Sequence, residues 1–327
     1  MVDLQKRLFL MQNTLIVHSP LSLNHRTGRG HVESPERYST VVNALRHERL
    51  LTPDNEWIAS PADEQWALLC HSAAYVKKVR EEAAMAEEGA MLSTGDVAIS
   101  QGSYAAAMAM IGGALYAAKA VLEGSFRNAF LVARPPGHHA ERERGMGFCL
   151  FNTVAIATRF LLQQGVPRVA IIDWDAHHGN GTEQAFLKES RVLYFSTHQA
   201  GLYPGTGTQS QGLIYNRPIA PGEGSREKLL QCYQEELPAL LSQFQPDFIV
   251  ISCGFDAHKD DPIARLALTT EDFALLTQIV RKAADRWCKG RILSALEGGY
   301  HLKSLAESSV VHVRELIRLA DGKMSVR

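Results

Sequence analysis

Five short apolar runs stand out along the chain: Phe130-Leu131-Val132-Ala133, Val169-Ala170-Ile171-Ile172, Val192-Leu193-Tyr194-Phe195, Phe248-Ile249-Val250-Ile251-Ser252 and Ile292-Leu293-Ser294-Ala295-Leu296. Runs of this length, rich in β-branched and aromatic residues, read as buried strands. Helical signals fall between them. Ser34-Pro35 offers an N-cap followed by proline at the first helical position, opening a helix toward Leu50. Gly102 to Glu123, rich in Ala and Met, reads as one long buried helix with Gly124 placed to end it, and Met108 and Met110 as its packing residues. Thr269 with Asp272 resembles a capping box for a helix running toward Trp287. Glu81, Glu82, Glu87 and Glu88 read as a solvated helix face, and the segment after Ala320 as a frayed tail. Strands alternate with helical stretches without a linker or repeat. The expectation is a single α/β domain over 1–327, its core at about 15–320 between a short N-terminal extension and a C-terminal tail.

Composition narrows the class. With 327 residues and 46% hydrophobic content, the chain can bury a large core. A net charge of −1 and a pI near 6.9 leave no electrostatic footprint for nucleic acid. Cys70, Cys149, Cys232, Cys253 and Cys288 have no paired spacing, which suits a reducing cytoplasm. Leu8-Phe9-Leu10-Met11 is too short for a signal-peptide core or a membrane span, so no membrane partner is expected. Oligomeric state is left open.

The chemistry sits at the ends of the strand runs. Val169–Ile172 leads into Asp173-Trp174-Asp175-Ala176-His177-His178. Alternation along an extended strand end would point Asp173, Asp175 and His177 to one side. Two carboxylates and an imidazole there suggest a zinc site, although an N-cap aspartate and two surface histidines would give the same hexapeptide. A catalytic zinc keeps three protein ligands and one open position. The run Phe248–Ser252 supplies a third ligand in Asp256 of Cys253-Gly254-Phe255-Asp256-Ala257-His258, with Gly254 allowing an abrupt turn. Phe130–Ala133 runs into Arg134-Pro135-Pro136-Gly137-His138-His139-Ala140, whose histidines suit general base and acid. Ile292–Leu296 ends in Glu297-Gly298-Gly299-Tyr300, where the glycines permit close backbone approach and the phenol can donate to a substrate carbonyl. Ligands of open parallel sheets bind outside the carboxyl ends of the strands, and four strand ends here carry chemistry.

Six blocks together resemble the zinc-dependent histone deacetylases: RPPGHHA (134–140), GFCLFN (147–152), DWDAHHGNGT (173–182), YPGTG (203–207), GFDAH (254–258) and LEGGY (296–300). The resemblance runs from about His25 to about Tyr300. The RPPG form and Asn180 look like the class II branch, which includes bacterial deacetylase-like amidohydrolases and acetylpolyamine amidohydrolases. It implies an arginase/deacetylase-like α/β fold with a central, mostly parallel sheet flanked by helices. It also implies one Zn²⁺ on Asp175, His177 and Asp256, and a structural K⁺ among Asp173, Asp175, His177, Ser196 and Thr197. His138 and His139 would be the tandem catalytic histidines, with Asp173 bonded to His138 and Tyr300 polarising the scissile carbonyl. Gly147, Phe148 and Tyr203 would line a tunnel for an acyl-lysine stem, and Asp96 would match a rim aspartate that grips substrate backbone. Arg37 would match the arginine of an internal acetate-release cavity. Where many members place a second aspartate beside the other histidine, this chain has Asn180. A neutral amide raises an imidazole pKa less than a carboxylate does, which favours His139 as a neutral base.

The residue types describe amide hydrolysis by metal-activated water. No Ser or Cys sits in a nucleophile elbow. The leading substrate is acetyl-lysine in proteins. Alternatives are an acetylated small amine such as an acetylpolyamine, a two-metal ureohydrolase, and a non-catalytic acyl-lysine binder. Selectivity for polyamines needs carboxylates at the mouth. Asp96, Glu141, Glu143, Asp260 and Asp261 are candidates, but Arg142, Arg144, Lys259 and Arg265 are interleaved with them. Arg142, Glu143 and Arg144 are expected at the rim.

Overall fold

The runs that read as buried strands form the middle of one sheet. The computed structural model describes residues 14–318. The strands are β1 (Thr14–His18), β2 (Glu56–Ile58), β3 (Ala90–Met91), β4 (Ala98–Ile99), β5 (Asn128–Leu131), β6 (Val169–Asp173), β7 (Val192–Gln199), β8 (Ile214–Ile219), β9 (Phe248–Cys253) and β10 (Ile292–Leu296). Eight of them make a sheet in the order β2-β1-β5-β10-β9-β6-β7-β8. Every neighbour in it pairs parallel, so it is wholly rather than mostly parallel. β3 and β4 form a separate antiparallel pair. Successive side chains of a strand point to opposite faces, and every residue of β5, β6, β9 and β10 is buried, so both faces are covered.

The covering helices are α1 (Pro35–His47), α2 (Glu64–Ala67), α3 (Ala73–Met85), α4 (Ser103–Leu122), α5 (Thr153–Gln163), α6 (Asn180–Phe186), α7 (Ser225–Gln231), α8 (Leu237–Phe244), α9 (Thr270–Trp287) and α10 (Leu302–Ile317). α4 is long and apolar enough to cross a membrane, but 72% of its most apolar window is buried inside the protein, where it packs on β1, β5 and β10. Met108 and Met110 are core residues within it. Thr269 and Asp272 form the capping box of α9. Ser34 has the extended backbone of a cap but makes no capping bond, and α1 ends at His47, short of Leu50. The charged face expected at 81–88 breaks up. α3 stops at Met85, and Glu82 accepts a hydrogen bond from Ser93 N at 2.8 Å, holding the β3–β4 loop. Leu8–Met11, the N-terminal extension and the segment after Ala320 lie outside the described residues.

The sheet order explains the site. β5, β10, β9 and β6 are consecutive neighbours running the same way, so the four motif-bearing loops leave one edge side by side.

Candidate active site

Alternation stops at Asp173, where β6 ends. A turn then carries Asp175 and His177 toward Asp256, while Asp173 stays behind His138. Of the three residues expected on one side, Asp175 and His177 join the cluster with Asp256, and Asp173 meets His138 instead. One ligand atom from each of Asp175, His177 and Asp256 lies within 4.8 Å of the others. His177 Nδ1 is 3.0 Å from Asp175 Oδ1 and 2.8 Å from Asp256 Oδ2. Backbone groups occupy the opposite oxygens: Gly298 N donates to Asp175 Oδ2, and Ala176 N to Asp256 Oδ1, each at 2.8 Å. Such bonds orient a carboxylate as a ligand. A Cβ on Gly298 would stand 2.3 Å from Asp256 Oδ2, and one on Gly254 would stand 2.2 Å from Asp175 Oδ2. Gly254 therefore serves by its missing side chain. Its φ is not among the left-handed values, so the close approach of Asp175 and not a positive φ is what calls for glycine there.

The donor set fits a divalent cation. Asp256 Oδ2 is buried and makes no well-formed hydrogen bond, its near polar neighbour being His177 Nδ1 at 2.8 Å. Two carboxylates buried this close are costly to keep ionised without a cation between them. Burial, together with the negative charge of Asp175, pushes the Asp256 carboxyl up to about 7. Burial opposes ionisation of Asp175 as well, but the imidazoles of His138 and His177 hold its carboxyl below the usual range. Two oxygens and one nitrogen suit zinc with a fourth position open. Among the described residues, no other group of three or more His, Cys, Asp or Glu side chains has this arrangement.

The histidine pair sits beside the ligands. His138 Nδ1 is 3.1 Å from Asp173 Oδ2, which also accepts from Tyr194 Oη at 2.9 Å, and His138 Nε2 is 3.7 Å from Asp175 Oδ1. Burial disfavours a charged His138, but Asp175, Asp173 and Glu297 outweigh it and raise its pKa well above the ordinary value. His139 Nδ1 is 2.8 Å from Asn180 Oδ1. Burial, then the neighbouring imidazoles of His138 and His177, drive its pKa well below the ordinary value.

A cavity of about 240 Å³ leads from the surface to these groups, lined by Asp96, His139, Gly147, Phe148, His177, Tyr203, Ile263 and Tyr300. Gly147 and Phe148 are both left-handed, with φ of 55° and 68°. A Cβ on Gly147 would meet His139 Cδ2 at 2.2 Å. Phe148 packs edge-on against Tyr300, and Tyr203 against His139, with ring centroids 5.9 and 5.3 Å apart. Gly147 N donates to Asp96 Oδ1 at 2.9 Å, which brings the aspartate to the mouth. Burial raises the Tyr300 pKa well above 10, so its phenol stays a protonated donor.

The profile of the histone deacetylase domain matches residues 31–316. The chain belongs to the histone deacetylase family. Similar family members include a protein described as a probable deacetylase of Archaeoglobus fulgidus, 38% identical over 89% of this chain and 82% of that one. Another is the histone deacetylase-like amidohydrolase of Pseudomonas aeruginosa, 36% identical over 83% of this chain and 73% of that one. The solved structure of the HDA15 HD domain superposes with a TM-score of 0.86 at 30% identity, covering 93% of this chain and 89% of that one. The chain is thus a deacetylase-family amidohydrolase, and its fold is the histone deacetylase fold.

Within this family member the structure brings together Asp96, His138, His139, Gly147, Phe148, Asp173, Asp175, His177, Asn180, Tyr203, Asp256 and Tyr300. Ser196 and Thr197 lie on β7 directly beside Asp173, but their hydroxyls already meet His198 Nδ1 at 2.9 Å and Tyr233 Oη at 3.3 Å. Arg37 lies under the Tyr300 loop, donating to Gly299 O at 2.7 Å with its guanidinium 4.9 Å from the Tyr300 ring centroid. Arg142, Glu143 and Arg144 do not line the tunnel. They border a separate hollow with Arg159 and Gln184. Two of the candidate mouth carboxylates are engaged elsewhere. Glu141 accepts from Asn180 Nδ2, and Asp261 accepts from Tyr300 N at 2.7 Å and Ile263 N at 3.0 Å.

Sequence reasoning assigned no role to Ile263 or Glu297. Ile263 walls the tunnel. Glu297 accepts from Gly137 N at 2.7 Å and His138 N at 3.1 Å, fixing the backbone of the histidine pair, and burial raises its pKa to about 7. Its place directly after the β10 run was the available signal. Ile263 offered none, because an isolated apolar residue in a polar loop is common.

Proposed function

We propose that the protein hydrolyses the amide of N-acylated amines through one zinc ion held by Asp175, His177 and Asp256, with acetyl-lysine in proteins as its substrate class. The observation that carries this reading is the apolar-walled tunnel ending at His139, His177 and Tyr300. A lysine stem is apolar along its length, so Phe148, Tyr203 and Ile263 can sheathe it while its amide reaches the polar end. Zinc, when bound, supplies Lewis-acid polarisation of the carbonyl and lowers the pKa of a coordinated water. The protein's own groups do the rest. His139, neutral and donating from Nδ1 to Asn180, keeps Nε2 free to take the proton of the attacking water and return it to the departing amine. His138, charged between Asp173 and Asp175, places positive charge beside the reacting centre. Tyr300 donates to the oxygen that gains negative charge. A potassium ion among Asp173, Asp175, His177, Ser196 and Thr197 belongs to the same proposal, and rests on the oxygen-rich composition of that layer.

Acetyl-lysine is preferred over acetylpolyamines because the mouth lacks converging carboxylates. With Glu141 and Asp261 turned away, Asp96 is the one carboxylate among the tunnel-lining residues. A cytoplasmic location is also proposed, supported by five unpaired cysteines. The test is a turnover panel on metal-replete protein comparing an acetyl-lysine peptide with acetylspermidine and acetylputrescine. The peptide should have the higher kcat/KM. A tenfold preference for the polyamines, about 1.4 kcal/mol in transition-state binding, would overturn the substrate assignment.

A further inference from the structure

Asn180 opens α6 with its amide wedged between two groups. Oδ1 lies 2.8 Å from His139 Nδ1. Nδ2 donates to Glu141 Oε1 at 2.8 Å, with His139 O at 3.3 Å and Met146 Sδ at 3.2 Å also beside it. An amide can present either end to an imidazole, so something must choose. Every neighbour of Nδ2 is an acceptor, and an ionised carboxylate can only accept. Turning the amide over would set Oδ1 against that group and forfeit a charge-assisted bond. With Oδ1 facing Nδ1, the imidazole must donate there and leave Nε2 as the bare nitrogen. Glu141 is itself anchored: its N donates to Arg144 O at 2.9 Å, and its carbonyl accepts from His71 Nδ1 at 2.9 Å.

We propose that Glu141 is a positioning residue that fixes the Asn180 amide and through it the tautomer of His139. This role rests on the reading of His139 as the general base. It also accounts for the amide at position 180. A carboxylate there would face the Glu141 carboxylate at hydrogen-bonding distance, so residues 141 and 180 form a matched pair.

The experiment compares zinc-loaded wild type, Glu141→Ala, Glu141→Gln, Asn180→Asp and the double variant Asn180→Asp/Glu141→Gln. The readouts are kcat and KM on an acetyl-lysine peptide and the ¹⁵N shifts of the His139 ring. Glu141→Ala should lower kcat about tenfold or more, as loss of a supporting hydrogen bond does, with KM changed less than about twofold and the ring a mixture of tautomers. Glu141→Gln should recover most of that loss, because its amide oxygen can accept the same bond. Asn180→Asp should also lower kcat, and adding Glu141→Gln should then raise it, because the new amide can donate to the new carboxylate. If Glu141→Ala keeps both the Nδ1–H tautomer and a kcat within about twofold of wild type, the proposal is overturned. Strictly additive effects in the double variant overturn it too, and that arm decides the matter if Glu141→Ala does not fold. A wild type that hydrolyses no acylated amine would sink the hydrolase reading alone, since the ring shifts still report on Glu141.

Discussion

The rings of His138 and His139 lie with centroids 4.1 Å apart, tilted by 47°, yet their surroundings drive them toward opposite charge states. His138 lies between the carboxylates of Asp173 and Asp175, which overcome its burial. His139 faces an amide and two other imidazoles, and the opposing pull of Asp175 and the Asn180 amide is too weak to offset its burial. Two like groups pushed apart in this way are suited to different tasks, one as a fixed positive charge and the other as a base.

Tyr300→Phe removes one hydroxyl and little volume. Turnover should fall about 10²–10³-fold, the usual loss for one oxyanion donor, with KM nearly unchanged. Steady-state kinetics decide it. If KM alone rises and kcat is untouched, Tyr300 binds substrate and does not act on the transition state.

Gly147→Ala should damage catalysis without touching a reactive atom. The new methyl would fall 2.2 Å from His139 Cδ2, at a φ of 55° that favours glycine. The ring must move, so kcat should drop by about 10²-fold, the order of loss expected for a misplacement near 1 Å. Zinc content should stay at one per chain, since the atoms nearest the new methyl belong to His139 and not to a proposed ligand. Wild-type kcat in this variant would show that the ring position does not matter.

Stability should decline in mild acid because buried histidines refuse protons. Burial lowers His71 to about 4 and His312 to about 3. Unfolded imidazoles titrate near 6.5. Below that pH the unfolded chain binds protons that the folded chain does not, so this stabilisation is complete above about 6.5 and is lost as pH falls toward the folded values. Each group contributes a slope of up to about 1.4 kcal/mol per pH unit. Urea unfolding of wild type and His312→Gln at pH 7.5, 6 and 5 reads this directly. The variant, though less stable at pH 7.5, should show a slope shallower by close to one proton, and equal slopes would refute the assignment.

What could be read from sequence depended on how local the cause was. β6, β9 and β10 are buried on both faces, so apolar runs marked them to within a residue. β5 ended two residues before its run did, although Val132 N still donates to Val17 O at 2.8 Å. β2 and β8 lie at the sheet edges and carry Glu56, Asn216 and Arg217 among their few residues, so no apolar run marked them. Asp175, His177 and Asp256 were visible because ligand chemistry restricts residue type. Glu141 and Asp261 were candidates for mouth charges and are engaged elsewhere. A carboxylate in a polar loop looks the same in sequence whether it turns outward or caps an amide.

Asp256→Ala should lose zinc and turnover together while keeping most of the fold, because it deletes the proposed ligand and one hydrogen bond from Ala176 N but no apolar core contact. Metal analysis after gel filtration should give one zinc per wild-type chain and a small fraction of that in the variant. Full activity after exhaustive chelation would refute the zinc requirement.

In the proposed function, this tunnel delivers an acyl-lysine amide to a zinc-loaded site for hydrolysis. Acetate release from an acetyl-lysine peptide by protein carrying one zinc per chain tests it most directly. Many turnovers per chain are expected. Intact peptide and no acetate, with zinc bound and the peptide occupying the tunnel, would contradict it and leave a binding protein in place of an enzyme.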